Sequence, residues 1–107
     1  MISSRSVDLI TYDGNRDEGV LIAVEDRPWE ATPARFAEMV AKIDYYLSVI
    51  QSGQLSARYP KLAGRPCSVQ LDFIHAPGPE LTDFLNSMAE TMSATGIALT
   101  VNALANP

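Results

Sequence analysis

Apolar residues recur at three-and-four spacing through residues 32–53, TPARFAEMVAKIDYYLSVIQSG, at Phe36, Met39, Val40, Ile43, Tyr46, Leu47 and Ile50. This spacing gathers them on one face of a 3.6-residue repeat and predicts an amphipathic helix whose apolar face is buried. Thr32 is placed to accept a bond from the free amides of the first turn. Pro33 suits the first helical position, where its missing N–H is not needed, and Gly53 supplies the left-handed geometry of a C-cap. Elsewhere the period changes to two. Residues 7–12 (VDLITY) and 20–25 (VLIAVE) flank the turn-forming segment DGNRDEG and read as a β-hairpin. Residues 67–75 (CSVQLDFIH) alternate Val69, Leu71 and Phe73 against Gln70, Asp72 and Ile74, a strand with one buried face. A second helix opens at Pro79, carries a stripe of Leu81, Phe84, Leu85, Met88 and Met92, and closes at Gly96; residues 97–104 (IALTVNAL) form the last strand.

The order β-β-α-β-α-β specifies an α+β fold. A helix between two strands of one sheet makes a right-handed crossover, so two successive crossovers put both helices on the same face. The expected architecture is a two-layer sandwich formed by one domain over residues 1–107: a four-stranded mixed sheet in the order 1-2-3-4, with strand 1 antiparallel to strand 2 and strands 2, 3 and 4 parallel. By strand parity, Val7, Leu9, Thr11, Val20, Ile22 and Val24 are expected on the helix side. Ile10, Tyr12, Leu21, Ala23 and Ile74 are then expected on the open face, among Asp8, Glu25, Gln70, Asp72, Thr100 and Asn102. An apolar patch rimmed by polar groups has the character of a protein contact, which makes those five residues the interface candidates.

Composition narrows the partners. Eight Lys and Arg against thirteen Asp and Glu give a net charge of -5, which repels phosphate backbones and anionic membrane surfaces, so neither nucleic acid nor membrane is an expected partner. With Cys67 as the single cysteine, an internal disulfide and a Cys-rich zinc site are excluded, and a reducing cytoplasm is the expected location. The N-terminus lacks the apolar core of a secretion signal, and no stretch approaches the roughly 20 apolar residues needed to span a bilayer.

Candidate chemistry is sparse. His75, the sole histidine, has a suitable intrinsic pKa for acid-base work but no carboxylate on its face of the strand, because Asp72 lies three residues away on the other side. Parity points it toward the helix layer in a structural role. Cys67, at the start of a half-buried strand, reads as a small core hydrophobe. Asp13, Asp17 and Glu18 lack the spacing of a calcium loop and read as a solvated hairpin tip. The connection from residue 54 to 66 is longer than usual and carries the positive cluster Arg58, Tyr59, Lys61 and Arg65, the candidate anion-binding residues. No phosphate loop, serine elbow or metal motif occurs, so no catalytic residue, cofactor or metal is assigned.

The run YYLSVIQSGQL, followed by Tyr59-Pro60, Gly64-Arg65 and the strand SVQLDFI, resembles a family of short bacterial proteins known only as a domain of unknown function. The resemblance implies a bacterial cytosolic protein and carries no activity. The leading expectation is a non-enzymatic protein-interaction module, self-associating as a homodimer or other homo-oligomer through the open sheet face or an edge strand. One alternative is an immunity-type protein whose acidic charge steers it onto a basic toxin. Another is an enzyme or anion binder that uses the 54–66 loop, with Tyr59, Arg65 and His75 as its working groups. Against this last reading, Cys67 and His75 are separated by about 26 Å along a strand that rises roughly 3.3 Å per residue, which puts Arg65 and His75 at opposite ends of the sheet.

Overall fold

The structure, a computed structural model, describes residues 9–103; Val7, Asp8 and Leu104 of the predicted strands lie outside them. The elements are β1 (Leu9–Asp13), β2 (Glu18–Glu25), α1 (Pro33–Gln51), α2 (Gln54–Arg58), a 3₁₀ turn (Pro60–Leu62), β3 (Cys67–Phe73), α3 (Pro79–Ser93) and β4 (Ala98–Ala103). The sheet order is β1-β2-β3-β4. β1 is antiparallel to β2, and the β2–β3 and β3–β4 pairs are parallel. The expected two-layer architecture is therefore the one observed.

Local chemistry sets the helix ends. Thr32 Oγ1 accepts from the Arg35 N–H at 3.2 Å, Pro33 occupies the first turn, and Gly53 takes φ 83° where α1 ends and α2 begins. Met39, Ile43, Tyr46 and Val49 of α1 join Leu81, Leu85 and Met92 of α3 in one core against Leu21, Ala23, Val69, Leu71 and Phe73 of the sheet. Phe36 of α1 joins the connection after β2 to α3 by edge-to-face contacts with Trp29 at 5.2 Å and with Phe84 at 5.5 Å.

The hairpin phase differs from the expectation. Leu21 pairs with Val69 and Ala23 with Leu71, and all four are buried in the helix-side core. Ile10 pairs with Leu21 and Tyr12 with Gly19, so these two also lie on the helix side. Four of the five interface candidates, Ile10, Tyr12, Leu21 and Ala23, are thus on the covered face. Tyr12, at the edge strand, and Ile74, one residue past β3, are the two that stay exposed. The reason lies in β2 itself: Val20 to Val24 is apolar at every position, so its alternation cannot choose a phase. The parallel partner β3 chooses it instead, through its clear Val69, Leu71, Phe73 pattern. The face away from the helices carries Leu9, Thr11, Val20, Ile22 and Val24 beside Ser68, Gln70, Asp72, Thr100 and Asn102, with Val20, Ile22 and Ser68 buried there.

The 54–66 connection is more ordered than a loop. Leu55 of α2 and Leu62 of the 3₁₀ turn are buried and pin it to the core. Gly19 makes room for this: a Cβ there would meet the Leu62 methyls at 3.1 and 3.2 Å and Cys67 Sγ at 3.3 Å. Only glycine lets Leu62 close over the start of the sheet without displacing it.

Candidate functional site

The hairpin end of the sheet is occupied by structural ties. Asp13 Oδ1 accepts from the Asn15 N–H at 3.0 Å and the Arg16 N–H at 3.4 Å, shaping the turn. Tyr12 donates its hydroxyl proton to Asp17, Arg65 pairs with the same carboxylate, and the Arg65 guanidinium lies 5.6 Å from the centre of the Tyr12 ring. Arg65 Nε also donates to the Lys61 carbonyl at 2.7 Å. This arginine, expected as an anion ligand, is instead the clasp between the 54–66 segment and the hairpin. The hydrogen bond to Asp17, with smaller contributions from burial and nearby carboxylates, raises the Tyr12 pKa. Glu18 is buried and accepts from Ser68 Oγ at 3.3 Å. Cys67 is half-buried, and desolvation pushes its thiol up, away from the thiolate a nucleophile requires. Among the described residues no group of three His, Cys, Asp or Glu side chains is placed to hold a metal.

The opposite end holds a charged cluster. Arg27 donates from Nε and Nη2 to the two oxygens of Glu25 at 2.8 and 2.9 Å, and also to Glu38. Arg35 lies over the Trp29 ring at 5.0 Å, and its Nη2 sits 3.5 Å from Glu25 Oε1, an ion-pair distance without hydrogen-bond alignment. Together with Met39 and Lys42 these side chains enclose a cavity of about 20 Å³, room for a single water molecule. The cluster therefore ties the end of β2 to α1 and does not form a ligand pocket. Burial alone would raise Glu25, but hydrogen bonds from the Arg27 side chain and backbone and the charges of Arg27 and Arg35 outweigh it, so its carboxyl is held below its ordinary value of 4.5.

A carboxylate whose pKa is lowered by folding contributes stability above its unfolded pKa and loses it as pH falls through the folded one. Glu25→Gln is accordingly expected to be about 1–2 kcal/mol less stable than the parent at pH 7 and to show a flatter stability profile below pH 4.5. Urea midpoints measured across that range check this, and superimposable profiles would refute it. His75, expected to face the helix layer, is exposed, because β3 ends at Phe73 and strand parity no longer applies. As expected, it and Arg65 sit beyond opposite ends of β3.

A third place has the size of a ligand site. Ile10 of β1, Tyr45 and Val49 of α1, and Gln54, Leu55, Arg58 and Tyr59 of α2 and its C-cap line a groove of about 360 Å³. Of the four anion-binding candidates, Arg58 and Tyr59 are brought together here, while Lys61 and Arg65 do not line it. Tyr45 and Gln54 were not anticipated from the sequence. Ile10, placed on the open face by parity, instead belongs to this groove's wall.

A model described as Family of unknown function (DUF6572) matches residues 1–105. The chain belongs to this family. No curated protein and no solved structure matches it. In this member of DUF6572, residues 52–55 form the corner where α1 turns into α2, Tyr59-Pro60 opens the 3₁₀ turn, and Gly64, at φ 75°, swings the chain into β3 through Arg65. The motif residues thus build the segment that borders the groove and clasps the hairpin. No helix among the described residues is long and apolar enough to cross a membrane.

Proposed function

We propose that the chain is a non-enzymatic protein-interaction module whose first partner is a second copy of itself, joined along β4. The observation that carries this reading is the character of that edge. β4, Ala98–Ala103, is a sheet edge of six residues with no charge and no proline, and Val101 stands 40% exposed on it. Exposed edges present a row of unpaired N–H and C=O groups, and natural proteins blunt them with lysine, proline or bulges. β4 carries none of these side-chain deterrents. Antiparallel pairing of β4 with its own copy about a twofold axis is self-complementary and closes without propagating. On the helix-free face Val24 adds exposed apolar surface to the sheet. The setting that accompanies this reading is a bacterial cytoplasm, where the thiol of Cys67 stays reduced.

Sedimentation velocity from micromolar to near-millimolar concentration tests it. The wild type is expected to shift from monomer to dimer, and Val101→Lys, which places a charge on the edge, is expected to stay monomeric with an unchanged circular dichroism spectrum. A wild type that remains monomeric throughout, or a variant that dimerises as well as the parent, would defeat the proposal.

A further inference from the structure

The groove between β1, α1 and α2 differs from the rest of the surface in its electrostatics. Arg16, Arg27, Arg35 and Arg65 each lie in an ion pair with a carboxylate. Arg58 is the one arginine among the described residues with no carboxylate partner, and it lines the 360 Å³ groove. None of the other described lining residues is acidic. The chain carries a net charge of -5, so an uncompensated guanidinium beside a cavity is a local exception to the field of the molecule. Around it stand two phenols, Tyr45 from α1 and Tyr59 from the end of α2, and the Gln54 amide. The floor is apolar: Val49 and Leu55 belong to the core cluster, and Ile10 packs against it.

A concave site of a few hundred cubic ångströms with an apolar floor and a few convergent polar groups is the usual form of a small-molecule pocket. We propose that this groove binds a small aromatic monocarboxylate, with Arg58 taking the carboxylate in a two-pronged hydrogen bond and the ring lying on Ile10, Val49 and Leu55 between the two tyrosines. The charge balance selects the ligand class. One guanidinium neutralises one carboxylate and matches its planar geometry, whereas a phosphate dianion would be left half-neutralised. The apolar floor requires a hydrophobic body attached to the anion. This proposal is independent of the β4 edge, because it uses residues of β1, α1 and α2 and needs no second copy of the chain.

The test is a titration of the ¹⁵N-labelled protein with three probes, 2-naphthoate, its neutral counterpart 2-naphthamide, and inorganic phosphate. Naphthoate is expected to give saturable shifts at the amides of Ile10, Val49, Leu55 and Tyr59. Naphthamide is expected to bind about tenfold more weakly, the loss that accompanies removal of a charge-assisted pair, and phosphate to give no saturable shift. Arg58→Gln, an exposed substitution that leaves the fold intact, is expected to bring naphthoate down to the level of naphthamide, and Tyr59→Ala to weaken both organic probes. Absence of saturation with naphthoate, shifts centred on β4 or on Glu25, equal binding of naphthoate and naphthamide, or unchanged naphthoate affinity in Arg58→Gln would each overturn the proposal.

Discussion

Leu21→Lys will leave the chain without a stable fold, whereas Val24→Lys, three residues on in the same strand, will cost less than about 1 kcal/mol. Leu21 is 0% exposed, flanked in the sheet by Val69 and Ile10 and roofed by the helices. Val24 points to the helix-free face and is 38% exposed. Losing the leucine's packing alone costs about 2–5 kcal/mol. An ammonium buried there finds no counter-charge and adds a desolvation penalty of several kcal/mol. Set against a total stability of about 5–15 kcal/mol, the sum is enough to unfold a domain of this size. Circular dichroism and urea titration of the two variants decide the matter. A cooperative, near-native transition in Leu21→Lys would show the β2 phase to be the reverse of the one described.

The second large effect is expected at Tyr46, the biggest fully buried side chain of α1. Its hydroxyl donates to the Ile22 carbonyl at 3.3 Å, and the Lys42 ammonium lies 6.0 Å from its ring centre, so one residue fills the interlayer space and also bonds to the sheet backbone. Tyr46→Ala is expected to cost about 3–5 kcal/mol through the cavity it opens. Tyr46→Phe keeps the ring and gives up the hydrogen bond, for about 1 kcal/mol. Chemical denaturation of the pair separates packing from polarity. Equal losses in both variants would mean that the hydroxyl, not the ring, anchors α1.

The architecture was legible in the sequence because its signals are long. The stripe from Phe36 to Ile50 and the one from Leu81 to Met92 each persist over several turns, and the handedness of crossovers then leaves little choice of topology. The orientation of the hairpin was not legible, because Val20 to Val24 offers no polar residue to mark the solvent side. Only pairing with β3, far away in sequence, breaks that tie. The helix Gln54–Arg58 is too short for a periodic pattern to show. Its proximity to Tyr45 and Ile10 is a tertiary fact, so of the groove only Arg58 and Tyr59 could be picked out in advance. Arg65 looked equally available, and the carboxylate that claims it, Asp17, lies on a different element. The Glu25–Arg27–Glu38 cluster escaped notice for the same reason, although Arg35 and Glu38 stand at a spacing that places them on one side of a helix.

Strand order that repeats chain order has a consequence for how the protein is made. No strand must be inserted between two that are already paired. As synthesis proceeds from the N-terminus, the hairpin can form first, β3 can join it after α1, and β4 arrives last at the far edge. Until that final strand docks, the exposed border of the sheet is β3, whose Val69, Leu71 and Phe73 become the most deeply buried residues of the finished strand. A nascent or truncated chain ending before residue 98 therefore presents its stickiest strand as a free edge, open to pairing with neighbouring chains. Docking of β4 covers that strand and moves the border of the sheet to β4 itself, the edge through which the proposed dimer pairs.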